Sequence, residues 1–189
     1  MKKSQTTSDQ GLQGTRLLQN GDYQAARESY ERTLASEPHN LEALYGLGII
    51  CQYLGEMEQA RACYEKALEV EQESAALHNS LGVVAAHLGD IENARRSFEE
   101  AIRLEPELID ARRNLATLCI NTGLFEEGVQ MFRDLLIKHP EDTDTLMTVA
   151  RLYAEAGDEE STRFLLHRVL KLDPQNKDAA TALQQLESR

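Results

Sequence analysis

Residues 41–74 read LEALYGLGIICQYLGEMEQARACYEKALEVEQES, and the next stretch, residues 75–108, reads AALHNSLGVVAAHLGDIENARRSFEEAIRLEPEL. The two segments align from end to end without a gap. Gly55 then matches Gly89, and Ala60 matches Ala94. Chance does not place helix breakers and small residues at the same interval twice. The two segments therefore indicate a structural repeat.

The same interval punctuates the rest of the chain. Five glycines stand 34 residues apart, and the four prolines are separated by that interval or by twice its length. This spacing predicts five gapless repeats, which cover residues 7–40, 41–74, 75–108, 109–142 and 143–176. The residues that define the interval are Gly21, Gly55, Gly89, Gly123 and Gly157, together with Pro38, Pro106, Pro140 and Pro174.

Each repeat is predicted to contain two helices. Ala60, Tyr64, Ala67 and Leu68 stand at i, i+4, i+7 and i+8, which places them on one face of a helix. The segment before Gly55 has the same periodicity, and a glycine can take the positive φ that follows a helix end. Residues that favour the N-cap position fall at the repeat boundaries. They are Asn40, Ser74, Asp142 and Asn176.

Four positions, counted from the first residue of each repeat, keep their residue type or relax it slightly. They are position 8 (Gly14, Gly48, Gly82, Ala116, Ala150), position 20 (Ala26, Ala60, Ala94, Gly128, Thr162), position 24 (Tyr30, Tyr64, Phe98, Phe132, Leu166) and position 28 (Leu34, Leu68, Ile102, Leu136, Leu170). This pattern resembles the tetratricopeptide repeat (TPR) family, whose period is also 34 residues. The resemblance implies an all-α, right-handed solenoid of five helix-turn-helix repeats.

The two ends of the chain differ from the repeats. Residues 177–189 read as one more amphipathic helix, and we expect it to cap the apolar face that the last repeat would otherwise expose. Residues 1–6 are predicted to form a short disordered tail. Neither end shows an apolar run long enough to suggest an export signal or a membrane span.

Composition narrows the classes of function. The chain has 189 residues, of which 41% are hydrophobic and 28% are charged, as in a soluble globular protein. Its net charge of −12 makes nucleic acid and anionic membranes poor partners, and we expect no membrane insertion. The cysteines form no C-x-x-C pair, which favours a reducing, cytoplasmic location over disulfides or zinc. The histidines follow no metal-binding spacing, so we expect no metal, no cofactor and no enzyme activity.

The resemblance also implies where a partner would bind. TPR domains generally hold partner segments in a concave groove that is lined by the first helix of each repeat. Helical geometry places positions 2, 5, 6, 9, 12 and 13 of that helix opposite the core. The clamp residues of chaperone-binding TPR domains are absent at these positions, so we expect no C-terminal Glu-Glu-Val-Asp ligand. The predicted groove residues are Tyr45, Ile49, Gln52, Tyr53, Asn79, Val83, Arg113, Asn114, Thr117, Ile120, Met147 and Arg151.

These observations predict a non-enzymatic scaffold or adaptor that binds a protein or peptide segment. Arg113 and Arg151 are expected to be surface residues that point into the groove, where their guanidinium groups suit an acidic group on the partner. Two alternatives stay open from the sequence. The chain could be a self-assembling TPR oligomer, or it could be the regulatory TPR portion of a larger enzyme.

Overall fold

The computed structural model describes residues 13–188, and every regular element in that range is an α-helix. Helix α1 is described over residues 13–19. The later helices are α2 (Tyr23–Ser36), α3 (Leu41–Tyr53), α4 (Met57–Val70), α5 (Ala75–His87), α6 (Ile91–Leu104), α7 (Ile109–Asn121), α8 (Phe125–Lys138), α9 (Thr143–Glu155), α10 (Glu159–Leu172) and α11 (Lys177–Glu187). The all-α fold class is thus confirmed for the described residues, and the tail predicted at residues 1–6 lies outside them.

Local sequence explains where the helices begin and end. The side chains of Asn40, Asp142 and Asn176 accept hydrogen bonds from backbone N–H groups in the first turns of α3, α9 and α11, as N-cap residues do. Ser74 precedes α5 but makes no such bond, so the cap predicted there is wrong. Inside each repeat the two helices are separated by a glycine with positive φ, such as Gly55 at 78°.

Small residues let the helices of a repeat approach closely. A Cβ atom added to Gly48 on α3 would lie 2.4 Å from Cε1 of Tyr64 on α4, so only glycine leaves room for that ring. Ala60 and Ala94 are fully buried at the other small position. The repeated small residues and rings therefore form one packing arrangement, which the period of 34 carries along the chain.

The chain divides into two compact units. The N-terminal unit ends at Leu118 and the C-terminal unit begins at Cys119, so the division falls inside α7. The N-terminal unit contains a core cluster that includes Leu44, Tyr64 and Val84. In the C-terminal unit, Ala179 of α11 is buried in the same cluster as residues of α9 and α10, so α11 packs against the last helix pair. The exact repeat boundaries stay a prediction.

Candidate functional site

The twelve predicted groove residues, here called the first-helix surface, are distributed over both units. Tyr53 and Arg151 are exposed, and the other ten are half-buried. We describe each unit separately. The N-terminal unit contains Tyr45, Ile49, Gln52 and Tyr53 on α3, Asn79 and Val83 on α5, and Arg113, Asn114 and Thr117 on α7, whereas the C-terminal unit contains Ile120, Met147 and Arg151.

A pair of amides links neighbouring first helices in the N-terminal unit. Nδ2 of Asn114 on α7 donates a hydrogen bond of 3.0 Å to Oδ1 of Asn79 on α5. Because each amide can make up to four hydrogen bonds, this contact uses only part of their capacity. On α7, the Thr117 hydroxyl bonds to the backbone carbonyl of Arg113. The structure therefore brings two of the predicted residues into direct contact across two helices.

Aromatic side chains occupy the α3 part of the first-helix surface. The Tyr53 ring is 65% exposed and stacks on Tyr23, with ring centroids 4.1 Å apart. Tyr45 is different, because its ring packs against the core cluster and lies 5.8 Å from the ring of buried Tyr64. Gln52 accepts a hydrogen bond of 3.1 Å from the Tyr64 hydroxyl. Tyr45 and Gln52 thus stabilise the fold, whereas Tyr53 offers an apolar face to a partner.

The two arginines have different surroundings. Arg151 is an exposed side chain that pairs with Glu155 at 2.8 Å on the same helix. Arg113 pairs with Asp110, and its side chain is only 14% exposed. The prediction that both arginines are surface residues is therefore wrong for Arg113, which the first turn of α7 partly covers.

Chemistry for catalysis is sparse in the described residues. Residues 13–188 contain no group of three or more His, Cys, Asp or Glu side chains that could hold a metal ion. Burial raises the pKa of the Cys51 thiol to about 12, and burial also raises the pKa of Cys63. Both thiols are protonated near neutral pH, so neither is an activated nucleophile. No described helix has the length and apolarity needed to cross a membrane.

The C-terminal unit contains an apolar groove that the repeat pattern did not predict. The groove has a volume of about 670 Å³ and opens between α8 and α9. It is named here the α8–α9 groove, and the residues that define it are Phe125, Val129, Leu136 and Ile137 of α8 with Leu152 and Tyr153 of α9. Val129 is 50% exposed and Ile137 is 71% exposed, so α8 presents apolar side chains to solvent. Ile120 of the first-helix surface also contacts this groove.

Departures from the repeat explain why the groove lies there. Position 21 is Arg in four repeats but Val129 in the fourth, and position 16 is acidic in four repeats but Leu124 in the fourth. Position 11 holds buried Cys51, Ala85 and Cys119 in the middle repeats, whereas the fifth repeat has Tyr153, which is 41% exposed. A large ring on α9 and apolar residues on α8 thus stand where small and charged residues close the other junctions. These departures were visible in the sequence and could have located the groove.

The family can now be stated. A family model described as tetratricopeptide repeat matches residues 17–82 and 85–144, which is more than half of the chain. The chain belongs to the TPR family. The resemblance read from positions 8, 20, 24 and 28 is therefore confirmed. The TPR repeat is typical of scaffolds for protein–protein interaction, because stacked helix pairs present extended binding surfaces.

Solved structures support the TPR fold at low sequence identity. TTC0263, a TPR protein from Thermus thermophilus, is 18% identical, with a TM-score of 0.84 over 97% of this chain and all of that chain. PilW, a type IV pilus biogenesis factor, is 19% identical, with a TM-score of 0.78 over 97% of this chain and 91% of that chain. YrrB, a TPR protein with an unusual peptide-binding site, is 22% identical, with a TM-score of 0.61 over 90% of this chain and 88% of that chain. No curated protein matches the sequence.

Proposed function

We propose that this TPR protein is a non-enzymatic adaptor that holds an extended or helical segment of a partner protein on the first-helix surface of its N-terminal unit. The observation that carries the proposal is the Asn114–Asn79 hydrogen bond, because it presents two amides side by side on consecutive first helices. Their remaining donors and acceptors match the N–H and C=O groups of a peptide backbone. The peptide-binding site described for YrrB is consistent with this use of the fold.

An apolar anchor of the partner would lie toward α3. Tyr53 gives it an exposed ring, and half-buried Ile49 and Val83 extend the apolar area on α3 and α5. Aromatic rings contribute much of the binding energy at such surfaces, since they bury a large area with few rotatable bonds. We propose Tyr53 as the principal anchor contact.

An acidic group on the partner stays part of the proposal. Arg113, Asn114 and Arg151 are the residues proposed to receive it, and a guanidinium group binds a carboxylate in a bidentate manner. Arg113 and Arg151 already pair with Asp110 and Glu155, so the partner's carboxylate would share or displace these contacts. The three free cysteines suit a reducing compartment, and we propose a cytoplasmic location.

Site-specific photo-crosslinking in cells tests this assignment. A photoreactive phenylalanine analogue at Tyr53 should capture a partner protein, whereas the same analogue at exposed Glu99 on α6 serves as a matched control and should not. Changing Asn79 and Asn114 to Ala should then weaken the captured partner's affinity about tenfold, since two hydrogen bonds are lost. Equal capture at both positions, or unchanged affinity of the double variant, would place partner binding elsewhere.

A further inference from the structure

We infer that the α8–α9 groove binds α10 of a second copy of this chain, so that copies join head to tail. The inference goes beyond partner binding on the N-terminal unit, because both surfaces involved lie in the C-terminal unit. It starts from the groove itself. Contiguous exposed apolar surface of this kind on a soluble chain marks an interaction site.

The same unit carries a projecting side chain of suitable chemistry. Phe164 on α10 is 67% exposed, and its position is Glu, Ala, Arg or Gln in the other four repeats. The opposite side of α10, with Leu165, Leu166 and Val169, is buried in the core, so Phe164 points away from its own fold. A lone exposed ring beside polar residues can insert into an apolar groove on another copy, where it would be covered on both sides.

Charge complementarity selects α10 as the occupant and fixes its direction. The exposed stripe of α8 has Glu126 near its N-terminal end and Arg133 two turns later. The exposed stripe of α10 has the same order of charge, with Glu160 before Phe164 and Lys171 after it. An antiparallel approach therefore sets Lys171 toward Glu126 and Glu160 toward Arg133 while Phe164 enters the groove. Glu155, which also contacts the groove, adds negative charge on α9.

The spacing of these groups fits that arrangement. Glu126 and Arg133 lie about 10 Å apart along α8, and Glu160 and Lys171 lie about 16 Å apart along α10, at 1.5 Å per residue. Long Arg and Lys side chains span the difference of a few ångströms. Because the groove and α10 are different surfaces of one chain, the contact is heterologous and leaves a free groove at one end and a free α10 at the other. Assembly would therefore continue beyond a dimer.

Sedimentation equilibrium of the full chain tests the inference. Wild type should sediment above its chain mass of 21.2 kDa as its concentration rises to about 0.5 mM. Val129→Arg installs the residue that the other repeats carry, and Phe164→Gln installs the residue of the fourth repeat at that position. Each change should weaken association about tenfold or more. Both sites are at least half exposed, so circular dichroism and melting curves should match wild type.

Mixing the two variants gives the decisive result. The Val129→Arg copy keeps a functional α10, and the Phe164→Gln copy keeps a functional groove, so an equal mixture should form a dimer of twice the chain mass that grows no further. Ile137→Lys is a second groove variant if Val129→Arg unfolds, since Ile137 is 71% exposed. A wild type that stays monomeric, or a mixture that stays monomeric while wild type associates, would overturn the inference.

Discussion

The α4–α5 junction and the α8–α9 junction occupy equivalent places between TPR repeats, yet one is closed and the other is open. At the closed junction Arg61 lies within 4.0 Å of Glu65 on the outer edge of α4, and Ala85 of α5 is buried. At the open junction the equivalent residues are Val129, Arg133 and Tyr153. Helix pairs of one family thus pack tightly or separate according to two or three side chains at fixed positions.

The difference has a packing cause and a solvation cause. A small residue at position 11 lets the first helix of a repeat settle against the preceding second helix, whereas the Tyr153 ring holds α9 away from α8. Charged residues such as Arg61 keep the outer edge of α4 hydrated, whereas Val129 leaves apolar surface on α8. Such surface favours an occupant because its burial releases water.

The largest effect should come from exchanging the position 11 residues between the junctions. Ala85→Tyr forces a ring into a site where only 6% of Ala85 is exposed, and overpacking of this kind should cost about 3 kcal/mol of unfolding free energy. Tyr153→Ala, the reverse change at the open junction, should cost about 1 kcal/mol or less. Urea unfolding of both variants measures the contrast. Similar losses would show that the two junctions are equally packed.

A second exchange concerns the contact within a repeat. A Cβ atom at Gly82 would lie 2.5 Å from ring atoms of buried Phe98, so Gly82→Ala should cost about 1–2 kcal/mol even though alanine favours the helix. The fifth repeat has Ala150 and Leu166 at these positions. Adding Phe98→Leu should therefore recover about 1 kcal/mol relative to the sum of the single changes. Strict additivity in a double-mutant cycle would contradict this account.

Periodicity predicted the parts of the structure that repeat. The interval of 34, the helical spacing around Ala60 and Tyr64, and the cap residues Asn40, Asp142 and Asn176 are local signals, and each depends on a few neighbouring residues. Ser74 shows the limit of such signals, because a favourable residue type at a helix start does not ensure that its side chain makes the capping bond.

The candidate sites were less predictable. The α8–α9 groove consists of residues that break the repeat, and whether such a break opens a groove depends on how far two helices separate. Likewise, helical geometry placed Arg113 and Arg151 on equivalent arcs but could not show that Arg113 is mostly covered and paired with Asp110. Burial of a long side chain is decided by its tertiary neighbours, which position in a repeat does not specify.

A smaller contrast concerns pH and position 16. Arg27 reaches from α2 to Glu56, with Nη1 and Oε2 2.9 Å apart, and its hydrogen bond lowers the pKa of Glu56. A lowered folded pKa stabilises the fold above the ordinary pKa of about 4.3, and this stabilisation is lost as the pH falls through the folded value. Glu56→Gln should therefore reduce stability at pH 7 and flatten its loss toward pH 3, which urea midpoints would show. An unchanged pH profile would exclude Glu56 as a contributor.

The equivalent residue of the fourth repeat offers a change in the opposite direction. Leu124 stands at the N-cap of α8 and makes no side-chain capping bond, whereas Asp90 and Asp158 accept backbone N–H bonds at the starts of α6 and α10. Leu124→Asp should satisfy one of the free N–H groups of α8 and add a negative charge at its positive end. We expect a gain of about 0.5–1 kcal/mol, which would be the smallest of these effects.

Hydrogen exchange locates that gain, because protection should rise mainly in the first turn of α8. Leu124→Ala is the matched control, since it removes the same exposed side chain without supplying a cap. Loss of stability in both variants would mean that Leu124 contributes through apolar packing, and the fourth repeat would then differ from the others by selection for that contact. A gain only with Asp would show that the fourth repeat gives up helix stability at the same end of α8 where it exposes apolar surface.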